Sequence, residues 1–304
     1  MRRFFPLLFV LIAAFLACGA IAEAAAVPER PDAAATEEHH LPLKPVVLFE
    51  IGKFAITNSM VVTWIVAVGV IVCAQLATRK IMPVPQGLQN FWEWLVESLH
   101  NFLESIIGRD LVRRTFWFFA TIFIFILFVN WFGLLPGIGT VGWGHYEANG
   151  AFRIDRPLLR GGNADLNMTA AMAIIFFVCW VIWAIQANGV GGFLLHIFGP
   201  KGESKGLMKV AMVGVFFAVG ILEVVSILFR PISLSFRLFG NVYAGETILE
   251  SMSHMVPALS WLIPIPFYFM ELLVGIVQAM VFMLLTAVFT LLIAQHEPGH
   301  EAHH

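Results

Sequence analysis

Between Ile221 and Glu246 the chain reads ILEVVSILFRPISLSFRLFGNVYAGE. Glu223, Arg230, Arg237, Asn241 and Glu246 interrupt an otherwise apolar run; Glu250, Glu271 and Gln278 follow in equally apolar surroundings. The 304 residues are 59% hydrophobic and only 12% charged, with a mean hydropathy of +0.84. A soluble domain carries about a quarter charged residues. An ordinary cytosolic enzyme, a nucleic-acid binder and a disordered chain are therefore excluded, and a net charge of −2 gives no field to steer a polyanion. The stretch belongs in a bilayer, where a charge at a helix centre costs roughly 2.5–3.5 kcal/mol on insertion scales. Such charges must face a water-filled cavity, one another or a partner.

Outward from this stretch, the sequence predicts an all-α polytopic membrane protein with about five membrane helices. Residues 1–26 form a signal-like segment, with Arg2 and Arg3 ahead of an apolar run. Residues 27–56 read as an exported linker, 57–295 as the membrane domain, and 296–304 as a His/Glu-rich tail. The first span is expected at Thr57–Thr78, the second at Phe116–Leu135 and the third at Met168–Ile185. Between the first two, Leu88, Phe91, Leu95, Leu99, Phe102 and Ile106 share one face of an amphipathic helix, lying on the membrane or against a partner. A glycine-rich loop with Arg153, Asp155, Arg156 and Arg160 precedes the third span, and Asp165 is placed to cap it. Two last segments, Leu207–Glu250 and Pro257–Ala294, would be ~66 Å and ~57 Å long as helices, far beyond a ~30 Å hydrocarbon core. Long, strongly tilted helices joined in a hairpin near Ser253–Ala258 satisfy that arithmetic.

Glu223, Arg230 and Arg237 are seven apart and share a helix face, which Asn241 joins four residues on. Glu223 and Arg230 are also spaced to form a structural ion pair. Glu246 follows Arg237 by nine residues, ~900° of rotation, and points to the opposite side. Folding the hairpin at residue 257 or 258 sets Arg237 level with Gln278 and Glu246 level with Glu271. Two carboxylates held together do not readily both ionise, so such a pair can take and release protons. Arg237 keeps its charge and can act only as a fixed cation. No disulfide framework, metal site or cofactor is expected from Cys18, Cys73 and Cys179. His296–His300 matches H-E-x-x-H, but Pro298 and Gly299 break the helix a zincin needs, and the match reads as a solvated tail. Residues 199–205 lack the glycine before lysine of a nucleotide-binding P-loop.

Ser235–Glu246 resembles the signature of the a subunit of F-type ATP synthase. Gln278-Ala279 with Val281–Thr286, Leu134-Leu135-Pro136 and Ala164-Asp165-Leu166-Asn167 resemble further parts of that family, and the likeness covers residues 45–296. It implies a non-catalytic, proton-translocating stator subunit beside a ring of c subunits, with b subunits of the peripheral stalk, the catalytic head and membrane lipid as partners, and no nucleic acid. It implies two half-channels with Arg237 between them. Asn241 and Gln278 would line the path near Arg237, Glu246 and Glu271 would relay protons on the outer side, and Glu223 would lie near the inner one. A secondary transporter with a buried Arg–Glu site is the alternative; the lack of a repeat between the halves counts against it. Eight Lys and Arg residues in the loops on the Arg79 side, against six on the other, favour that side as cytoplasmic; with the export signal and five crossings this puts the N-terminus outside and the C-terminus in the cytoplasm, and the resemblance implies a bacterial cytoplasmic (inner) membrane.

Overall fold

The computed structural model describes residues 45–51, 54–146, 152–198, 207–255 and 259–294. The signal-like segment, most of the linker, the loop lysines Lys201 and Lys205, and the His/Glu-rich tail lie outside them. The described chain is helical, with two short antiparallel hairpins: β1 (Val47–Ile51) with β2 (Phe54–Thr57), and β3 (Gly142–Tyr146) with β4 (Phe152–Pro157). The helices are α1 (Asn58–Thr78), α2 (Leu88–Ile107), α3 (Arg109–Gly133), α4 (Leu166–Phe198), α5 (Leu207–Met255) and α6 (Pro264–Ala294). All but α2 are long and apolar enough to cross a membrane.

Local chemistry explains the boundaries. Thr57 caps α1 by accepting from the Met60 amide at 3.4 Å. Gly108, at φ +79°, reverses the chain between α2 and α3, a conformation that costs a glycine little. Asp165 Oδ1 accepts from the Asn167 amide at 2.9 Å and caps α4, as its position predicted. Helix α4 is longer than expected. It runs past Ile185 to Phe198 and leaves helical geometry only at Gly189 (φ +68°, ψ 165°). Helix α6 starts at Pro264 rather than Pro257, where proline can occupy a first turn without losing a hydrogen bond. Helix α5 runs through Pro231 unbroken.

The core sits on α3. Two thirds (67%) of its apolar span is buried, against 11% for α5. Phe118, Phe119, Ile122 and Ile126 are fully buried among Val62 of α1, Leu103 of α2, Met172 of α4, and Phe282 and Met283 of α6. Fully burying such side chains stabilises by about 1.5–3 kcal/mol each relative to water. Where the outer surface meets lipid, those residues need no burial, and Val68, Leu222, Phe229 and Leu273 stay exposed. Helix α2 departs from its expected face. It packs through Leu99, Leu103 and Ile107, while Leu88, Phe91 and Phe102 remain exposed. Helices α4 and α5 pack along one another, as do α3 with α6 and α5 with α6. The expected loop before α4 is partly strand, and its last part is drawn into the bundle: Arg160, Gly161, Gly162, Asn163, Ala164 and Asp165 are all buried.

Candidate functional site

Helix α5 presents two different faces. Arg237 and Asn241 are exposed on one, beside Ile232 and Phe236. Among the described residues Arg237 has no ion-pair partner. The other face carries Glu246, whose side chain is 15% exposed and whose Oε2 lies 3.7 Å from Nε of Arg160. The Arg160 guanidinium also sits 5.9 Å from the Tyr243 ring centroid, one turn back along α5. Loop side chains default to water, and for that reason sequence reasoning missed Arg160. The signal was the Arg160-Gly161-Gly162 run beside a helix cap, because two glycines let a backbone enter a packed bundle.

Glu271 is 7% exposed on α6. A Cβ on Gly245 would run into its carboxylate, so that glycine makes room for Glu271 against α5. Glu246, Glu271 and Gln278 line one small pocket together with Asn130, Asn163, Gly133 and Gly161. Its free volume of about 10 Å³ is room for about one water. Arg237 and Asn241 are not among its lining residues. Gln278 therefore faces the two glutamates, a direction that its expected level with Arg237 across the hairpin leaves open. Asn163 Nδ2 donates to Asn130 Oδ1 at 2.6 Å, and Asn130 Nδ2 donates to the Gly275 carbonyl at 3.2 Å, so the pocket wall is hydrogen-bonded across three segments. Neither asparagine was singled out for this role from sequence.

A larger cavity of about 600 Å³ adjoins this pocket. Glu246, Gly133, Leu134 and Gly161 belong to both linings. Arg160, Glu250, Ser253, Ser260 and Tyr268 add polar groups to it, and at its edge Asn58 Nδ2, at the start of α1, donates to the Pro157 carbonyl of β4 at 3.1 Å. Glu246 thus stands where a wide, largely apolar cavity with a few polar groups meets a one-water space. Asp165, just before the membrane segment of α4, is 2% exposed. Burial pushes its carboxyl above the usual range, opposed by the Asn167 amide and the Arg160 charge.

A second polar cluster lies towards the start of α5. Arg230 Nη2 donates to Glu223 Oε1 at 3.2 Å. The same guanidinium lies 4.7 Å from the Phe289 ring centroid and 5.7 Å from that of Trp180. The pairing suggested by the seven-residue spacing is therefore present, with Glu223 about half exposed beside it.

These residues fall inside a recognised sequence family. The model of the ATP synthase A chain matches residues 60–290. The chain belongs to that family. The a subunit of Moorella thermoacetica ATP synthase is 31% identical over 85% of this chain and 99% of its own length. That of Gloeobacter violaceus is 32% identical over 84% of this chain and 90% of its own, and that of Trichlorobacter lovleyi 34% over 77% and 86%. The ATP synthase a subunit is the proton-translocating stator subunit of the F-type enzyme. This a subunit is accordingly a multi-pass membrane component of the ATP synthase complex, and the polar groups on α5 and α6 are to be read in that setting.

Proposed function

We propose that this subunit conducts protons to and from a ring of c subunits through two half-channels, with Arg237 as the fixed charge between them. The observation that carries the reading is the division of α5 into an outward side, where Arg237 is exposed and has no ion-pair partner among the described residues, and an inward side with Glu246 beside a cavity. A permanent cation exposed in mid-span is tolerated only where water or a partner meets it. A partner carboxylate passing it is held ionised by the adjacent charge, so a proton cannot cross directly from one half-channel to the other. Asn241 shares that exposed face and would contact the ring. The 600 Å³ cavity is the outer entrance, Glu246 and Glu271 are its proton relay, and Gln278 orients the water between them. Glu223, held by Arg230, borders the inner exit.

The subunit itself carries no ATP chemistry and acts through the ring, the b subunits of the peripheral stalk and the catalytic head. Residues 1–26 direct export in a bacterial cytoplasmic membrane, 27–56 lie outside, 57–295 form the channel domain, and the C-terminal tail is cytoplasmic. Proton movement in inverted membrane vesicles tests the assignment. In Arg237→Ala, ATP-driven acidification should vanish, while passive proton conductance persists or rises once the catalytic head is stripped. Normal ATP-driven pumping in that variant would overturn the role of Arg237.

A further inference from the structure

We propose that Arg160 is a positioning residue for proton entry, holding the Glu246 carboxylate where the wide cavity narrows to the one-water pocket. The inference rests on the access path proposed above. Arg160 is 6% exposed, although it comes from a connecting segment that could have turned it to water. Burying a guanidinium costs several kcal/mol unless its charge is met, and here it is met by Glu246 at 3.7 Å. The loop is built to bring it there. A Cβ on Gly161 would run into the Glu246 carboxylate. One on Gly162 would lie 2.6 Å from Thr63 Oγ1 and 2.8 Å from Val129 Cγ1. A larger residue at Gly162 would press the loop away from α1 and α3, and one at Gly161 would displace the Glu246 carboxylate from beside Arg160.

The charge balance around Glu246 explains what the cation does. Glu271 faces it from α6, Glu250 from its own helix, and Asp165 lies within the field of Arg160 from the same loop. These are acidic, and Arg160 supplies the opposing positive charge. Without it, mutual repulsion would swing the Glu246 carboxylate out into the 600 Å³ cavity. With it, the carboxylate stays at the constriction. There Glu246 takes a proton from hydronium in the cavity, leaving water, and passes that proton through the pocket water to Glu271, becoming carboxylate again. Arg160 exchanges no proton, since guanidinium remains protonated. A pocket holding about one water tolerates little displacement of either carboxylate, so the position of Glu246 controls the rate.

ATP-driven proton pumping in inverted vesicles carrying the assembled enzyme provides the test, with the amount of membrane-bound complex measured in parallel. Arg160→Gln should slow pumping about tenfold or more per assembled complex, and Arg160→Lys should recover most of it because the charge is kept. Arg160→Gln combined with Glu246→Gln should be no worse than Glu246→Gln alone, because the cation acts through that carboxylate. A double variant slowed by the product of the two single losses overturns the proposal. So does an Arg160→Gln enzyme that pumps normally, or an Arg160→Lys variant no better than Arg160→Gln. If Arg160→Gln does not assemble, the double variant and Arg160→Lys decide; failure of all three to assemble makes Arg160 a folding residue and likewise overturns the role. Normal pumping in Glu246→Gln instead removes the access path itself, a result separable from loss of the Arg160 role alone.

Discussion

The backbone of Gly245 lies directly against the carboxylate of Glu271, so closely that no Cβ fits between them. The missing side chain leaves room on α5 for the Glu271 carboxylate of α6 to lie against the backbone. Gly245→Ala gains about 0.5–1 kcal/mol of helix propensity but inserts a methyl against the Glu271 carboxylate, which must swing away from its place in the one-water pocket. The expected outcome is a net loss of about 1–3 kcal/mol, as for overpacked cores, with proton pumping falling further than stability. Thermal unfolding in detergent and vesicle pumping measure the two; a more stable, normally pumping variant would refute the close packing.

Gly240 offers the opposite case. It is exposed between Arg237 and Asn241, and an added Cβ meets nothing within 4 Å. For the isolated chain Gly240→Ala should be stabilising by about 0.5–1 kcal/mol through helix propensity. In the assembled enzyme the same methyl would press on the ring that this face is proposed to meet. A subunit that is more stable alone but pumps more slowly in the complex is the expected pair of results. Unchanged pumping would mean that no neighbour approaches this face closely.

The Arg230 cluster predicts an asymmetry. Glu223 contributes one partly exposed ion pair, worth about 0–1 kcal/mol. Arg230 contributes that pair and contacts with two aromatic rings, each adding about 0.5–1 kcal/mol. Arg230→Ala should therefore destabilise by about 1–3 kcal/mol, and Glu223→Gln by less than about 1 kcal/mol. Unfolding midpoints of the two variants check the order. Equal losses would show that the rings add nothing.

Asp165 predicts a pH dependence. Burial lifts its folded-state pKa above the ordinary ~3.9, so the folded chain binds its proton more readily than the unfolded one. The stability this supplies is whole below pH ~3.9 and is lost as pH rises through the lifted folded value. Asn keeps the helix cap without the charge. Asp165→Asn should thus gain stability relative to the parent chain as pH rises from about 4 towards neutrality, and Asp165→Ala should gain in parallel but sit about 1 kcal/mol lower at every pH for want of the cap. Unfolding temperatures across that range decide; both variants losing stability relative to the parent chain as pH rises would contradict the sign.

Much of this was legible because it is local. Helical rise is constant, so counting through the hairpin brings Glu246 and Glu271 together before any coordinates exist. The same count set Gln278 level with Arg237 but could not give its direction. Level along a helix pair says nothing about which side of each helix a residue takes, and Gln278 turns into the pocket of the glutamates while Arg237 faces outward. The kink at Gly189 and the start of α6 at Pro264 were missed because apolar composition continues unchanged across both boundaries.

Composition and periodicity by themselves determined that this is a membrane protein with five spanning helices, that α5 and α6 are too long to stand upright in a bilayer, and that a fixed cation and a carboxylate pair lie within them. Those properties follow from the cost of charge in hydrocarbon and from the fixed geometry of the helix. Only the tertiary structure decided that Arg160 turns inward to Glu246, that Asn130 and Asn163 wall the pocket, and that a cavity reaches it. A loop has no period to read. The direction of its side chains depends on which distant surfaces leave room, and at Gly161 and Gly162 that room is made by α1, α3 and α5 together.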